Sequence, residues 1–348
     1  MRRRELLTIT GTAAVSGGAT VYGGVQLSQK DDDDASTTDG RDDQTTSTET
    51  ETKRSVPDPA EGMVIFTYDD SPIEDYTLTY RVHQEYDVPG CIAACPGLME
   101  ESDAFLEPGQ LREMYRDGWD VLSHTYRHRV LGRVPLTDAA GTGDERLYVD
   151  THRHGAIEGD PLVVFDGETT ASVAVAGKGS DSHGEYLKLA EPLDSAIDAA
   201  GYVRHPTSFL RDILAKTDSR LDSWGIDVTG FVYTYGRYHG AIEELVRGRY
   251  DAVANHRYGG GHNELEGLDP STMRRMYIET DKATENEIDA FMDTAASDDG
   301  VLSIVGGHSQ FETLTEERLR YTIEAALERD LAVVTLTDAL AALESPSR

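Results

Sequence analysis

Lysine is nearly missing from this chain of 348 residues: it occurs only at Lys30, Lys53, Lys178, Lys188, Lys216 and Lys282, and arginine supplies most of the positive charge. Phosphate backbones are bound by clustered Lys and Arg, so this shortage argues against nucleic acid as a partner. Cysteine is equally scarce, with Cys91 and Cys95 alone. If they lie on one strand, four steps of 3.3 Å put their α-carbons ~13 Å apart, too far for a disulfide. They are expected to be small buried residues. What is abundant is acid. The net charge is -32, and from Ser55 onward 54 acidic residues face 25 basic ones, so the acidity belongs to the body of the protein and not to a tail. Such a surface suits high salt, where a short Debye length screens self-repulsion; an acidic face for cationic ligands is the competing reading.

The N-terminus opens Met1-Arg2-Arg3-Arg4-Glu5 and then stays uncharged from Thr8 to Gln29. This is the pattern of a twin-arginine export signal, over residues 1–30. It implies an exported, extracellular or cell-surface protein, and it leaves open whether the segment is cleaved or kept as a membrane tether. Residues 31–60 begin with Asp, Thr, Ser and Glu and almost no apolar side chain, so they are expected to form a disordered acidic linker.

From Met63 strand-like and helix-like segments alternate. Strands are expected at Met63 to Asp69, Gly90 to Cys95, Trp119 to His124, Gly230 to Thr234, Asp251 to Ala254, Val301 to Val305 and Leu331 to Thr335. Helical spacing fills the gaps, as at Glu74 to Tyr86, Glu107 to Asp117 and Glu316 to Arg329. The alternation predicts parallel strands with crossover helices, an α/β fold whose functional groups collect at the C-terminal ends of the strands. Residues 61–345 are read as this domain. Leu147 to Leu193 breaks the rhythm with period-two runs and predicts an antiparallel β insertion at about residues 145–195.

Two short segments at expected strand ends carry the chemistry. Thr67-Tyr68-Asp69-Asp70 closes the first apolar run, and His124-Thr125-Tyr126-Arg127-His128 follows another. One carboxylate and two imidazoles can hold a divalent metal and leave a coordination position open. If Asp70 is the ligand, Asp69 beside it can stay ionised and accept a proton. His124 and His128 share one side if the chain makes a helical turn there. Metalloproteases carry Glu after the first His, where this chain has Thr125, which disfavours a peptidase. Adjacent Asp69 and Asp70 are also poorly placed to flank a glycosidic bond.

These segments, with Ser71, resemble the first two motifs of the polysaccharide deacetylase family, carbohydrate esterase family 4, written TFDDG and H-[S/T]-x-x-H. Phe231-Val232-Tyr233-Thr234-Tyr235-Gly236 resembles the third motif, and Leu302 to Gly307 followed by His308 resembles the late hydrophobic run ending in histidine. The resemblance implies a distorted (β/α)7-8 barrel interrupted by the β insertion. It implies zinc or another divalent metal on Asp70, His124 and His128, with Asp69 as general base and His308 as acid. The backbone N–H of Tyr235 would help hold the oxyanion, and the substrate would be an acetylated glycan. The chain departs from the family at Ser71, which replaces Gly, at Val232, where an arginine that contacts the base is usual, and at Thr234, which replaces Pro. Arg237 is near but is given no role, and no acidic, Trp-containing fourth motif is recognisable between Tyr250 and Asp281.

Two lesser features remain. His152 and His154 would share a face if they lie on a strand and could bind a second metal; Arg257 to Asn263 could border a sugar groove. The leading expectation is an enzyme that removes N- or O-acetyl groups from a polysaccharide or surface glycan. The alternatives are a catalytically silent glycan-binding protein on the same fold and a hydrolase of a non-sugar C–N bond.

Overall fold

The computed structural model describes residues 62–256, 261–297 and 300–344. The expected export signal, acidic linker and part of the Arg257 to Asn263 loop therefore lie outside the described residues. The expected α/β fold is what forms. β1 (Met63–Asp69) is buried along its whole length, as an apolar run covered on both faces must be. β2 (Cys91–Ala94) and β3 (Asp120–Ser123) follow beside it in parallel. Cys91 and Cys95 are buried and unpaired, as their spacing predicts.

The chain then leaves the sheet. β4 (Val134–Pro135), β5 (Arg146–Tyr148), β6 (Pro161–Phe165), β7 (Thr170–Asp181), β8 (Gly184–Leu189) and β9 (Tyr202–Arg204) form a separate antiparallel sheet in the order β4-β9-β6-β7-β8-β5. It encloses its own core of residues such as Leu147, Leu162, Val164, Leu187 and Val203. This is the expected insertion, but it is wider at both ends, because the two- and three-residue strands β4 and β9 are too short to show a period in sequence.

Back in the first sheet, β10 (Gly230–Phe231) pairs with β3, and β11 (Ala252–Val253) pairs with β10. β12 (Asn263–Glu264), β13 (Met276–Tyr277) and β14 (Val301–Gly307) follow; β14 lies parallel to β1 from Met63↔Leu302 to Tyr68↔Gly307 and carries β12 and β13 on its other side. β15 (Ala332–Val334) pairs with the first residues of β1. The result is a curled, mostly parallel nine-stranded sheet, a distorted α/β barrel. Helices Glu285–Ser297 and Glu316–Leu327 pack outside it.

Side-chain alternation on β1 separates two cores. Val64, Phe66 and Tyr68 face one with Ile92, Trp119, Phe291 and Ile323; Met63 and Ile65 face the other with Leu122, Val232, Ile304 and Leu336. By the same period of two, Thr67 and Asp69 belong to the side of Met63 and Ile65. Asp69 is therefore delivered to the C-terminal mouth of the sheet by the strand itself.

Candidate metal centre and active site

Asp70 is the first residue past β1, and its φ of 80° turns the chain so that its carboxylate reaches the same mouth as Asp69. Its Oδ1 lies 3.3 Å from His124 Nε2 and 3.0 Å from His128 Nε2. The two histidines do not meet through a helical turn. They converge across a loop with left-handed residues at Thr125 (φ 64°) and His128 (φ 52°), because His124 directly follows β3 and the chain must double back to bring His128 beside it. Cys95 Sγ contacts the His124 carbonyl, and Thr125 Oγ1 accepts from the Arg129 N–H, which pins this loop.

The donor set suits a divalent cation. One ligand atom from each of Asp70, His124 and His128 lies within 4.8 Å of the others, and among the described residues this is the one such group. His124 Nδ1 donates to the Val232 carbonyl at 2.7 Å, which leaves the Nε2 lone pair facing the centre, as a metal-binding imidazole requires. Asp70 Oδ1 is buried and makes no hydrogen bond, while Oδ2 accepts from Gln310 Nε2 at 2.9 Å. A buried, unpartnered anionic oxygen facing two imidazole lone pairs is the arrangement a cation would complete. Burial alone would raise the Asp70 pKa, but the imidazoles of His124 and His128 beside it hold it well below the ordinary carboxylate range.

Asp69 has different company. Arg275 donates Nη1 to Oδ1 at 2.8 Å and Nη2 to Oδ2 at 2.6 Å, and also reaches Thr67 Oγ1 and Tyr277 Oη, each at 3.0 Å. Burial pushes the Asp69 carboxyl up, yet the Arg275 charge and hydrogen bonds, helped by His124 and His308, leave it lowered and ionised. His308 Nε2 stands 3.8 Å from Asp69 Oδ2. Glu279 Oε1 accepts from both the His308 backbone N–H at 3.1 Å and its Nδ1 at 2.8 Å, fixing the ring with Nε2 toward the cavity. Burial would lower the His308 pKa; the Glu279 hydrogen bond and the Asp69 and Asp70 charges raise it instead. Ser309 Oγ donates to buried Asp75 and anchors the loop that carries His308 and Gln310.

Sequence reasoning missed Arg275 and Glu279. Val232, aligned where an arginine was expected, is a core residue whose carbonyl orients His124, and Arg237 pairs with Asp150 at 3.0 Å instead of with Asp69. The arginine comes instead from the segment around β13. The signal was a polar period-two run, Arg275-x-Tyr277-x-Glu279, placing three side chains on one face. In place of the absent fourth motif, Glu279 supports His308. Tyr235 lines the cavity, with φ 54° and its ring 4.4 Å from that of His128.

The lesser possibility of a second metal at His152 and His154 finds no such site among the described residues. These residues lie in a 3-10 turn, His152–Gly155, where alternate side chains diverge; His152 N–H donates to Glu185, and His154 is buried against His205.

Together these groups line a cavity of about 830 Å³ at the strand ends. Fold and site define a distorted α/β barrel with a two-histidine, one-carboxylate centre beside a second, arginine-held carboxylate. Residues 57–148, which hold Asp69, Asp70, His124 and His128, match the polysaccharide deacetylase family model, so the resemblance read from the motifs is borne out. No curated protein matches the chain significantly. Among solved structures, the CE4 domain of a multidomain xylanase from the hindgut metagenome of Trinervitermes trinervoides is 13% identical, with 81% of this chain and 90% of that one covered and a TM-score of 0.43. A family 4 acetyl xylan esterase from Clostridium thermocellum, in complex with cobalt, is 13% identical over 80% of this chain and 90% of that one, with a TM-score of 0.43. A family 4 carbohydrate esterase from Streptomyces lividans, in complex with acetate, is 10% identical over 80% and 94%, with a TM-score of 0.44.

Proposed function

We propose that this protein is a metal-dependent carbohydrate deacetylase that hydrolyses N- or O-acetyl groups on a glycan. The observation that carries this reading is the division between two adjacent carboxylates: Asp70 faces two imidazoles, whereas Asp69 is held by Arg275. A divalent cation held by Asp70, His124 and His128 would lower the pKa of a water molecule and polarise the acetyl carbonyl. Asp69, kept ionised by Arg275, takes a proton from the attacking water. The Tyr235 backbone N–H contributes to holding the developing oxyanion. His308, kept protonated by Glu279, gives its proton to the departing amine or alcohol. The C–N or C–O bond breaks and acetate leaves, and the proton on Asp69 restores His308, 3.8 Å away.

A glycan substrate is supported by Phe311, a ring 49% exposed beside His308, at a centroid distance of 4.9 Å. An exposed aromatic at the lip of a polar cavity offers an apolar face for a sugar ring. The twin-arginine pattern at residues 2–4 supports export of the folded protein, which cell fractionation with Arg2→Lys/Arg3→Lys tests.

The catalytic test is acetate release from acetylated glycans together with metal content. Asp69→Asn is expected to keep the metal and lose activity by at least ~10²-fold, whereas His124→Ala loses both. Undiminished acetate release by Asp69→Asn rules out the proposed base, and glycan binding without acetate release by the metal-loaded wild type identifies a silent binding protein.

A further inference from the structure

We propose that the active-site mouth is built for a glycan bearing a carboxylate, and that Arg153 of the β insertion is the residue that binds it. This rests on the carbohydrate deacetylase reading above and names the substrate class for the same site.

Arg153 lines the cavity alongside the candidate metal ligands although it belongs to the insertion and not to the barrel. Its guanidinium carbon lies 3.9 Å from the centroid of the Tyr235 ring, and that ring in turn packs on His128. Stacking on an aromatic occupies the face of a guanidinium and leaves its N–H edge free, the edge that grips a carboxylate with two parallel hydrogen bonds. The turn that presents Arg153 is held on both sides. His152 N–H donates to Glu185 Oε2 at 2.8 Å, His154 is buried, and a Cβ at Gly155 would come within 2.8 Å of Leu187 and Lys178 side-chain atoms. Arg153, between them, is exposed.

Charge sharpens the assignment. Arg129 is neutralised by Asp160 at 2.6 Å, Arg237 by Asp150 at 3.0 Å and Arg275 by Asp69. Lys282, the other cation lining the cavity, pairs with Asp281 at 2.8 Å. Arg153 has no ion pair among the described residues, in a chain where acids outnumber bases two to one. The cavity lining also carries Asp281 and Glu287, so an anionic substituent is drawn to Arg153 and repelled from those carboxylates. The same contact orients the sugar relative to the centre.

The test is calorimetric binding of an unacetylated oligohexuronate and of a neutral oligohexose of equal length to the full, metal-loaded chain at one fixed salt concentration. Wild type is expected to prefer the oligohexuronate. Arg153→Gln is expected to weaken it by about 10- to 100-fold, the range for a lost hydrogen bond to a charged group. Binding of the neutral oligomer should change by less than about two-fold, and Arg153→Lys should restore part of the loss. Equal loss for both oligomers would show that Arg153 only props Tyr235, and equal wild-type affinity for both would leave no carboxylate recognition; either result overturns the proposal. Acetate release is measured separately, so failure of the deacetylase reading shows as no acetate from any acetylated glycan while the binding contrast stands or falls on its own.

Discussion

Arg275 clasps both carboxylate oxygens of Asp69 although the two residues stand 206 positions apart. The pair keeps a buried carboxylate ionised 3.8 Å from a histidine whose pKa is raised, the first held down chiefly by Arg275 and the second held up chiefly by Glu279.

Arg275→Met removes the charge that offsets Asp69 burial. The folded-state pKa of Asp69 then rises, and the acid limb of the kcat/KM profile moves to higher pH. Stability should fall by ~3–5 kcal/mol, the usual result of leaving one member of a buried ion pair. Arg275→Lys restores charge without the two-pronged geometry and should recover only part of both. An unmoved acid limb in Arg275→Met would show that Asp69 does not depend on this arginine.

Glu279→Gln tests the other half. The His308 pKa is raised in the folded protein, so its stabilising contribution is present below the unfolded value and is lost as pH rises through the folded value. Activity that needs protonated His308 should therefore persist above the ordinary histidine range of about 6.5. In Glu279→Gln the alkaline limb of kcat should move to lower pH, and the pH-dependent part of stability should shrink. A full pH–rate profile with thermal melts at each pH checks both, and an unchanged alkaline limb counts against His308 as the acid.

Gly97→Ala probes the loop that brings the histidines together. Gly97 N–H donates to the Tyr126 carbonyl at 2.6 Å, and an added Cβ would sit 2.4 Å from that oxygen. Tyr126 lies between His124 and His128, so the substitution should displace the ligand set and weaken metal binding by ~10-fold or more, the scale of outer-shell changes. Competition with a metal indicator reads this directly; wild-type affinity would mean the loop adapts elsewhere.

The acidic body predicts a salt requirement. Raising KCl from about 0.1 M to 1 M shortens the Debye length from about 10 Å to 3 Å. The melting temperature is expected to rise over that interval, and a flat or falling one would leave the acidity unexplained by salt adaptation.

The alternation from Met63 onward was enough to read an α/β fold, because each strand is a short apolar run and each helix repeats with its own period. Asp69, Asp70, His124 and His308 were legible for the same reason: each stands at the end of such a run, where a parallel sheet collects its functional groups. Arg275 and Glu279 were not. β13 is two residues long and pairs with β14 only once the sheet has curled, so the period-two run Arg275-x-Tyr277-x-Glu279 puts these side chains on one face without saying that the face is the site. The same holds for Arg153, carried in by a turn of a second sheet.

The sequence by itself determined which atoms could bind a metal and exchange protons, since those depend on residue type and position along each strand. Only the tertiary structure decided the different surroundings of the two carboxylates. Arg275, just before β13, clasps Asp69, and His124 and His128, from the loop after β3, face Asp70, through electrostatic contacts that exist only when segments distant in the chain are brought within hydrogen-bonding distance.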